Sequence, residues 1–130
     1  MTTTFTIPLR TFSESNERLH WAAKARRVKK QREAIAWGWQ SIPQAERIAL
    51  AQAVENGLTI TITRLAPRGL DSDNLARAGK SQRDEIAKQL CIDDGDDRLE
   101  WKYQQEKSKE YGVRVEITPK PLENQPVSGV

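Results

Sequence analysis

The sequence predicts an α+β domain in which a small mixed β-sheet is packed with helices. Three observations carry that expectation. Residues 58–65 (Leu-Thr-Ile-Thr-Ile-Thr-Arg-Leu) alternate β-branched apolar and polar side chains, as a half-buried strand does. Residues 19–40 and 74–90 instead repeat their apolar positions at helical spacing. A length of 130 residues supports one domain with a single modest core.

Taken in order, Phe5 and Ile7 alternate with Thr4 and Thr6 in a first strand ending near Pro8. A polar loop over 13–18 leads into a helix over about 19–40, with Val28, Ile35, Trp39 and Ile42 at helical spacing. A second helix begins at Ser41. Ser41-x-x-Gln44 has the spacing of a capping box, Pro43 suits the first turn, and Asn56-Gly57 ends the helix before the strand at 58–65. The third helix starts from Asp73 as N-cap and buries Leu75, Gly79, Ile86 and Leu90. Its polar face carries Asp73, Arg77, Lys80, Asp84 and Lys88, of which Asp84 and Lys88 read as surface ion-pair partners. Strands over 99–103 and 111–118 follow, with Leu99, Trp101, Tyr103, Val113, Val115 and Ile117 inward and a charged link over 104–110. The domain is expected to span 1–118, with 119–130 (Pro119, Pro121, Pro126, Gly129) a disordered tail. Four tryptophans, Trp21, Trp37, Trp39 and Trp101, are expected to supply much of the bulky apolar surface of the core.

No apolar run approaches a membrane span, and the Met1-Thr2-Thr3-Thr4-Phe5 start lacks the basic region and apolar stretch of a signal peptide. A cytoplasmic protein with no membrane partner is the expectation, and a lone cysteine agrees with it. Charge is unevenly distributed. Between residues 18 and 32 lie seven basic side chains (Arg18, Lys24, Arg26, Arg27, Lys29, Lys30, Arg32) and no acidic one, whereas 71–97 holds eight acids against four bases. A basic helix on a chain of pI about 9.2 is the electrostatic footprint of a phosphate-backbone binder. The bland alternative is a solvated helix face.

The acidic half carries the chemistry. Asp71-Ser72-Asp73-Asn74 stands between a strand and a helix, and Asp93-Asp94 follows that helix. In extended chain Asp71 and Asp73 point the same way, roughly 7 Å apart at Cα. Oxygen ligands of this kind suit Mg²⁺, or Mn²⁺ as a substitute. A zinc site is effectively excluded, because the chain has one cysteine, Cys91, and one histidine, His20. Each cluster also has a structural reading, Asp73 as a helix cap and 93–97 as an acidic turn. An EF-hand is excluded by spacing.

Asp71-x-Asp73-Asn74-Leu75, a basic residue on the following helix, Asp84, the Asp93-Asp94 pair before a strand, and Ser15-Asn16 near the start together resemble the RusA family of Holliday junction resolvases over most of residues 5–118. The resemblance implies a RusA-like dimer that cuts four-way DNA junctions by Mg²⁺-dependent phosphodiester hydrolysis in recombination and repair. It implies metal-binding aspartates at Asp71, Asp73 and Asp94, with Asp93 as the alternative third, and a helix lysine needed for cleavage. That lysine falls on Lys80 counting back from Asp84, or on Arg77 counting forward from Asp73; Lys80 is preferred. Asn16, Arg77 and the basic helix would contact DNA. A glycine often found at the helix end is Cys91 here, which a left-handed cap tolerates poorly, so a different helix end is expected.

Helix length adds a geometric expectation. The ends of a helix over 73–90 lie roughly 25 Å apart, and the residues to Asp94 recover about half of that. An isologous dimer would bring Asp94 of one subunit to Asp71 and Asp73 of the other. Two alternatives remain open. One is a nuclease of the Asp…Glu-x-Lys type using Glu100 and Lys102. The other is a DNA-binding module without catalysis, in which the aspartates are caps and a turn.

Overall fold

The computed structural model describes residues 2–11 and 21–121. Strand β1 (Thr3–Ile7) is followed by helices α1 (Trp21–Gln40) and α2 (Gln44–Ala53), then a 3₁₀ turn (Val54–Asn56) and strand β2 (Leu58–Ala66). Helices α3 (Ser72–Ala78) and α4 (Lys80–Gln89) lead to strands β3 (Leu99–Lys107) and β4 (Gly112–Pro119). The strands form one mixed sheet of order β1-β4-β2-β3. β4 is antiparallel to both β1 and β2, while β2 and β3 are parallel, with Leu58 opposite Leu99 and Ala66 opposite Lys107. A mixed α+β sheet packed with helices is therefore what the sequence predicts.

Period-two alternation sends Phe5, Ile7, Leu58, Ile60, Ile62, Leu99, Val113, Val115 and Ile117 into one buried face. Ile35 and Trp39 of α1, Leu50 of α2 and Ile86 of α4 close over it. Each of the wholly buried Ile35, Leu50, Ile60 and Ile86 contributes about 1.5–3 kcal/mol through removal from water. The tryptophans depart from expectation. Trp39 is buried and Trp101 packs against the core, but Trp21 is 75% and Trp37 68% exposed, so branched aliphatics fill the interior.

Several boundaries also differ from the sequence reading. The Ser41 hydroxyl donates back to Gly38 O at 2.6 Å, so the expected capping box does not form, and Pro43 is the N-cap of α2. β3 continues through residues expected to be a link, because Leu58–Ala66 offers it nine partners in register. β4 runs to Pro119, and Lys120 N donates to Gly57 O at 3.0 Å, so ordered pairing passes residue 118. The expected tail over 122–130, with Asn16 and Arg18, lies outside the described residues.

α1 crosses β1 at Gly38, where the backbone approaches the Phe5 ring. A Cβ there would stand 2.5 Å from Phe5 Cδ2 and 3.0 Å from Ile7 Cγ2, both on buried side chains. Gly38→Ala is expected to cost about 1–3 kcal/mol through overpacking, read as a lowered midpoint in denaturant unfolding. An unchanged midpoint would mean that α1 and β1 are not so closely seated.

Candidate functional site

The chain leaves β2 at Ala66 and must travel back along the sheet to begin β3 beside Leu58, because β2 and β3 run parallel. Residues 67–98 make that crossover and carry every acidic candidate. Asp71 has extended backbone (φ −68°, ψ 167°) and is the N-cap of α3. Its Oδ1 accepts the Asn74 amide at 2.8 Å and its Oδ2 accepts Asn74 Nδ2 at 3.0 Å. Asp73 lies in the first helical turn and is exposed. The sequence reading gave the cap to Asp73 and an extended backbone to both aspartates. The cap moves to Asp71 because a capping carboxylate must reach the amide three residues on. At Asp73 the carboxylate instead faces the positive end of the helix dipole.

The approach to Asp71 is held from β3. Gln105 Oε1 accepts Leu70 N at 2.8 Å and Gln105 Nε2 donates to Leu70 O at 2.7 Å, so one amide side chain engages both backbone groups of the residue before Asp71. Arg64 adds a bond from Nη1 to Arg68 O at 2.6 Å and one from Nε to Thr11 Oγ1 at 2.9 Å.

The single helix expected over 74–90 is broken at Gly79, where ψ is −2°. The Tyr103 ring occupies that position: a Cβ on Gly79 would stand 2.7 Å from Tyr103 Cε1. Lys80 therefore opens a new helix. α4 closes with Cys91 at φ 58°, Cys91 N donating to Lys88 O and Ile92 N to Ala87 O. This pair of bonds is a Schellman cap, so the left-handed ending expected to be unavailable to Cys91 is the one it adopts. The half-buried Ile92 packs against the core as the chain turns back, which offsets the strain of a non-glycine residue there.

The return loop carries Asp94 back along α4. Asp94 Oδ2 accepts Arg83 Nε at 2.9 Å and Lys80 Nζ at 3.4 Å, while Lys80 Nζ also bonds Asp84 Oδ1 at 2.7 Å. The Asp94 carbonyl accepts Arg83 Nη2 at 3.0 Å and Trp101 Nε1 at 2.9 Å. Arg83 completes the joint by lying over the Trp101 ring at 4.9 Å and donating to the Tyr103 hydroxyl at 3.4 Å. Burial pushes the Asp94 carboxyl up, but the charges and hydrogen bonds of Lys80 and Arg83 outweigh it and hold the group below its usual range. The hydrogen bond to Asp84, helped by both carboxylate charges, holds the Lys80 ammonium above its own range against a smaller effect of burial. Asp93 turns away and accepts the Gly95 amide at 3.0 Å, and Asp96 pairs with Arg98 at 3.1 Å, so the rest of the acidic run is a turn.

Lys80 and Asp94 thus meet within one chain. The three aspartates still do not converge: among the described residues no three acidic, histidine or cysteine side chains stand close enough to hold one metal ion. Their separation follows from β3. Gln105 fixes the approach to Asp71 and Trp101 fixes Asp94, and four residues of strand span about 13 Å. Mg²⁺ keeps several waters and is commonly held by one or two carboxylates plus substrate phosphates. Asp71 and Asp73, two residues apart at the start of α3, are the carboxylates that could serve in that form, while Asp94 holds Lys80 and Arg83.

The basic helix is divided in its roles. Lys24, Arg26, Lys29 and Lys30 are exposed, Lys29 within 4.0 Å of Glu33, and Arg27 is half-buried. Arg32 has a structural role as well, because its Nε donates at 2.9 Å to the buried Glu85 of α4, tying the two helices together. Gln89 completes Glu85 at 2.7 Å, and Gln82 Nε2 donates to Gln31 Oε1 at 2.6 Å in the same buried seam. Arg77 is exposed in the last turn of α3. Glu100 and Lys102 share the outward face of β3, where Glu100 accepts Thr59 Oγ1 at 3.1 Å. Trp101, Tyr103 and Gln105 point to the opposite face, so the aspartates that a Glu-x-Lys nuclease would need are on the wrong side of the sheet.

Arg83, Tyr103, Trp101 and Gln105 were absent from the sequence-level site. Arg83 follows Lys80 by three residues and so shares its helix face, and the other three alternate on a strand; those spacings alone pointed to them. Neither a protein-family model nor a curated protein matches this chain.

Two measurements check this arrangement. Gln105→Ala should speed hydrogen exchange at the Leu70 amide by about tenfold, a loss near 1.4 kcal/mol of local protection, and leave β3 amides unchanged. Because the Asp94 carboxyl is depressed on folding, its contribution is present at neutral pH and is lost as pH falls below its ordinary value of 3.8 and through the folded one. Asp94→Asn should therefore be less stable than wild type at pH 7 and lose less of its melting temperature between pH 6 and pH 3, values chosen to bracket the ordinary carboxylate range of about 4. Parallel acid limbs would contradict the pairing.

Proposed function

We propose that this chain is a metal-dependent endodeoxyribonuclease of RusA type, acting as a homodimer on branched DNA such as the four-way junction. The observation that carries the reading is the Lys80–Asp94 contact at 3.4 Å. Lys80 and Asp94 are fourteen residues apart, were assigned to one site by resemblance alone, and are joined here by a broken helix and a return loop that no periodicity required. Asp71 and Asp73, at the start of α3, would hold Mg²⁺ or Mn²⁺. The metal, when bound with a DNA phosphate, would supply an activated water and charge neutralisation. Asp94 orients Lys80, whose ammonium would stabilise charge growing on the scissile phosphate. Gln105 holds the backbone leading to Asp71, so the carboxylates start from a fixed position. The exposed Lys24, Arg26, Lys29 and Lys30, with Arg77, would carry the phosphate contacts. No helix among the described residues is long and apolar enough to cross a membrane.

A second reading, a DNA-binding module without catalysis, is favoured by one observation. Both oxygens of Asp71 already bond Asn74, as a structural cap requires. Asp73 separates the two readings because it takes no part in that cap. Wild type and Asp73→Asn should be compared on a synthetic four-way junction and on matched linear duplex, with Mg²⁺ or with EDTA. The nuclease reading expects paired symmetric nicks that need Mg²⁺, and a loss of about 100-fold or more in Asp73→Asn with junction binding retained. Tight binding without cuts, indifferent to Mg²⁺ and to Asp73→Asn, would replace it with the non-catalytic module.

A further inference from the structure

β2 and β3 end side by side at Ala66 and Lys107, and the chain turns away there into the crossover. A pocket of about 180 Å³ lies at that corner, lined by Arg64, Ala66, Arg68, Gly69, Gln105 and Lys107. Liquid water takes roughly 30 Å³ per molecule, so the space holds a phosphate group with a few waters. Arg64 is the register partner of Gln105, and Ala66 of Lys107, so Arg64 and Lys107 are diagonal neighbours on the face that also carries the crossover. Ala66 has no side chain beyond Cβ to fill the space between them.

Charge in this pocket is unbalanced. Arg64 Nε donates to Thr11 Oγ1 at 2.9 Å and Nη1 to Arg68 O at 2.6 Å, both neutral acceptors, and Nη2 has no acceptor among the described residues. Arg68 and Lys107 are exposed, with no carboxylate partner among the described residues. The acid in the lining, Glu106, turns to the outer face, where Arg114 Nη1 holds it at 2.9 Å. Burial keeps the Arg64 guanidinium below its usual range, Tyr111 opposing that shift and the charge of Arg10 adding to it. Arg98 and Arg114, hydrogen-bonded to carboxylates, are held above theirs. Arg64 is thus a part-buried cation whose charge no carboxylate answers.

We propose that this pocket is an anion site for one phosphate group, held by Nη2 of Arg64 together with Arg68 and Lys107. A phosphate brings more charge and more acceptor oxygens to three converging cations than a single carboxylate does. The site stands on the pocket alone and needs no metal. Two sources carry this chemistry: a phosphodiester within a nucleic-acid strand, and a free phosphate or phosphate monoester.

The test is an NMR titration of the full chain in EDTA at constant ionic strength. One arm adds inorganic phosphate, and the other a blunt DNA duplex without terminal phosphates. The amide signals of Arg68, Gly69 and Lys107 should move to saturation with at least one of them. Saturation by phosphate alone assigns the site to a free phosphate, and saturation by duplex, with or without phosphate, assigns it to a strand. Arg68→Gln with Lys107→Gln should weaken that binding by about tenfold or more, through loss of two charge-assisted contacts. Both side chains are exposed, and a melting curve checks that the variant is folded. The proposal is overturned if neither ligand moves these amides, or if the folded variant binds as wild type does. A drift that never saturates and is the same in the variant is a general salt effect and overturns it too. Phosphate held at this pocket by a protein that never cuts a junction would uphold the site while sinking the nuclease reading.

Discussion

The parallel pairing of β2 with β3 is the constraint from which the candidate site follows. Antiparallel neighbours can be joined by a tight turn, but a parallel pair obliges the chain to travel the length of the sheet before it can pair again. Residues 67–98 make that journey over β3, and three inward side chains of β3 meet it in turn. Gln105 engages Leu70 at the outset, Tyr103 fills the space at Gly79 midway, and Trp101 takes the Asp94 carbonyl at the end. Successive inward residues on a strand stand about 6.6 Å apart, so the strand acts as a ruler for the crossover. It sets both the nearness of Lys80 to Asp94 and the distance of Asp94 from Asp71.

That ruler explains which parts of the molecule were legible in the sequence. The strands were readable because their apolar alternation is local: Phe5 and Ile7, Leu58 to Ile62, and Val113 to Ile117 needed no knowledge of partners. The length of β3 was not, since Gln104 to Lys107 are polar and extend only because β2 supplies a complete row of partners. Nor was the break at Gly79. The apolar stripe Leu75, Gly79, Ile86, Leu90 is continuous in helical period, and the close approach at Gly79 of a tyrosine ring from a strand twenty-four residues later is tertiary. The aspartates were recognisable as a set, but their division into cap, first-turn acid and ion-pair anchor depended on where each backbone lay. Arg83, with four interactions to three residues, looked in sequence like any other helix charge.

Charge on the two sheet faces and on α1 shows how differently the same residue types are used. On the outer face Arg114 of β4 reaches Glu106 of β3 at 2.9 Å and Glu116 at 3.3 Å. Arg114 pairs in register with Thr63, and Glu106 with Leu65, so that ion pair passes over β2 beside the buried Thr63. On α1, Arg32 is a structural cation, inserted against a buried glutamate whose charge would otherwise be costly in the interior. Its neighbours Lys29 and Lys30 are exposed. The compact basic run in the sequence therefore divides among the described residues: Arg32 fastens the helix to the protein, Arg27 is half-buried, and Lys24, Arg26, Lys29 and Lys30 face solvent.

The electrostatics of the crossover bear directly on how a polyanion could approach it. Asp71, Asp73, Asp84 and Asp94 are accompanied by Arg77, Lys80 and Arg83, but residues 71–97 as a whole hold eight acids against four bases, so the region is net acidic and offers no long-range attraction for DNA. Charges screened over about 8 Å at physiological ionic strength act only on what is already near. Capture would then fall to the exposed cations of α1, and the aspartates would meet a phosphate only after the strand had been held. Lys80 has a particular place in that order. It bridges Asp84 and Asp94, two carboxylates on different elements, and its ammonium is held by hydrogen bonding and charge at a point a phosphate oxygen could also approach. A phosphate arriving there would compete with carboxylates for one cation and would need no new cation to be brought from solvent. The cost of reorganising the protein is then the shift of a single flexible side chain, while Arg83, fixed by Trp101 and Tyr103, keeps Asp94 where it is.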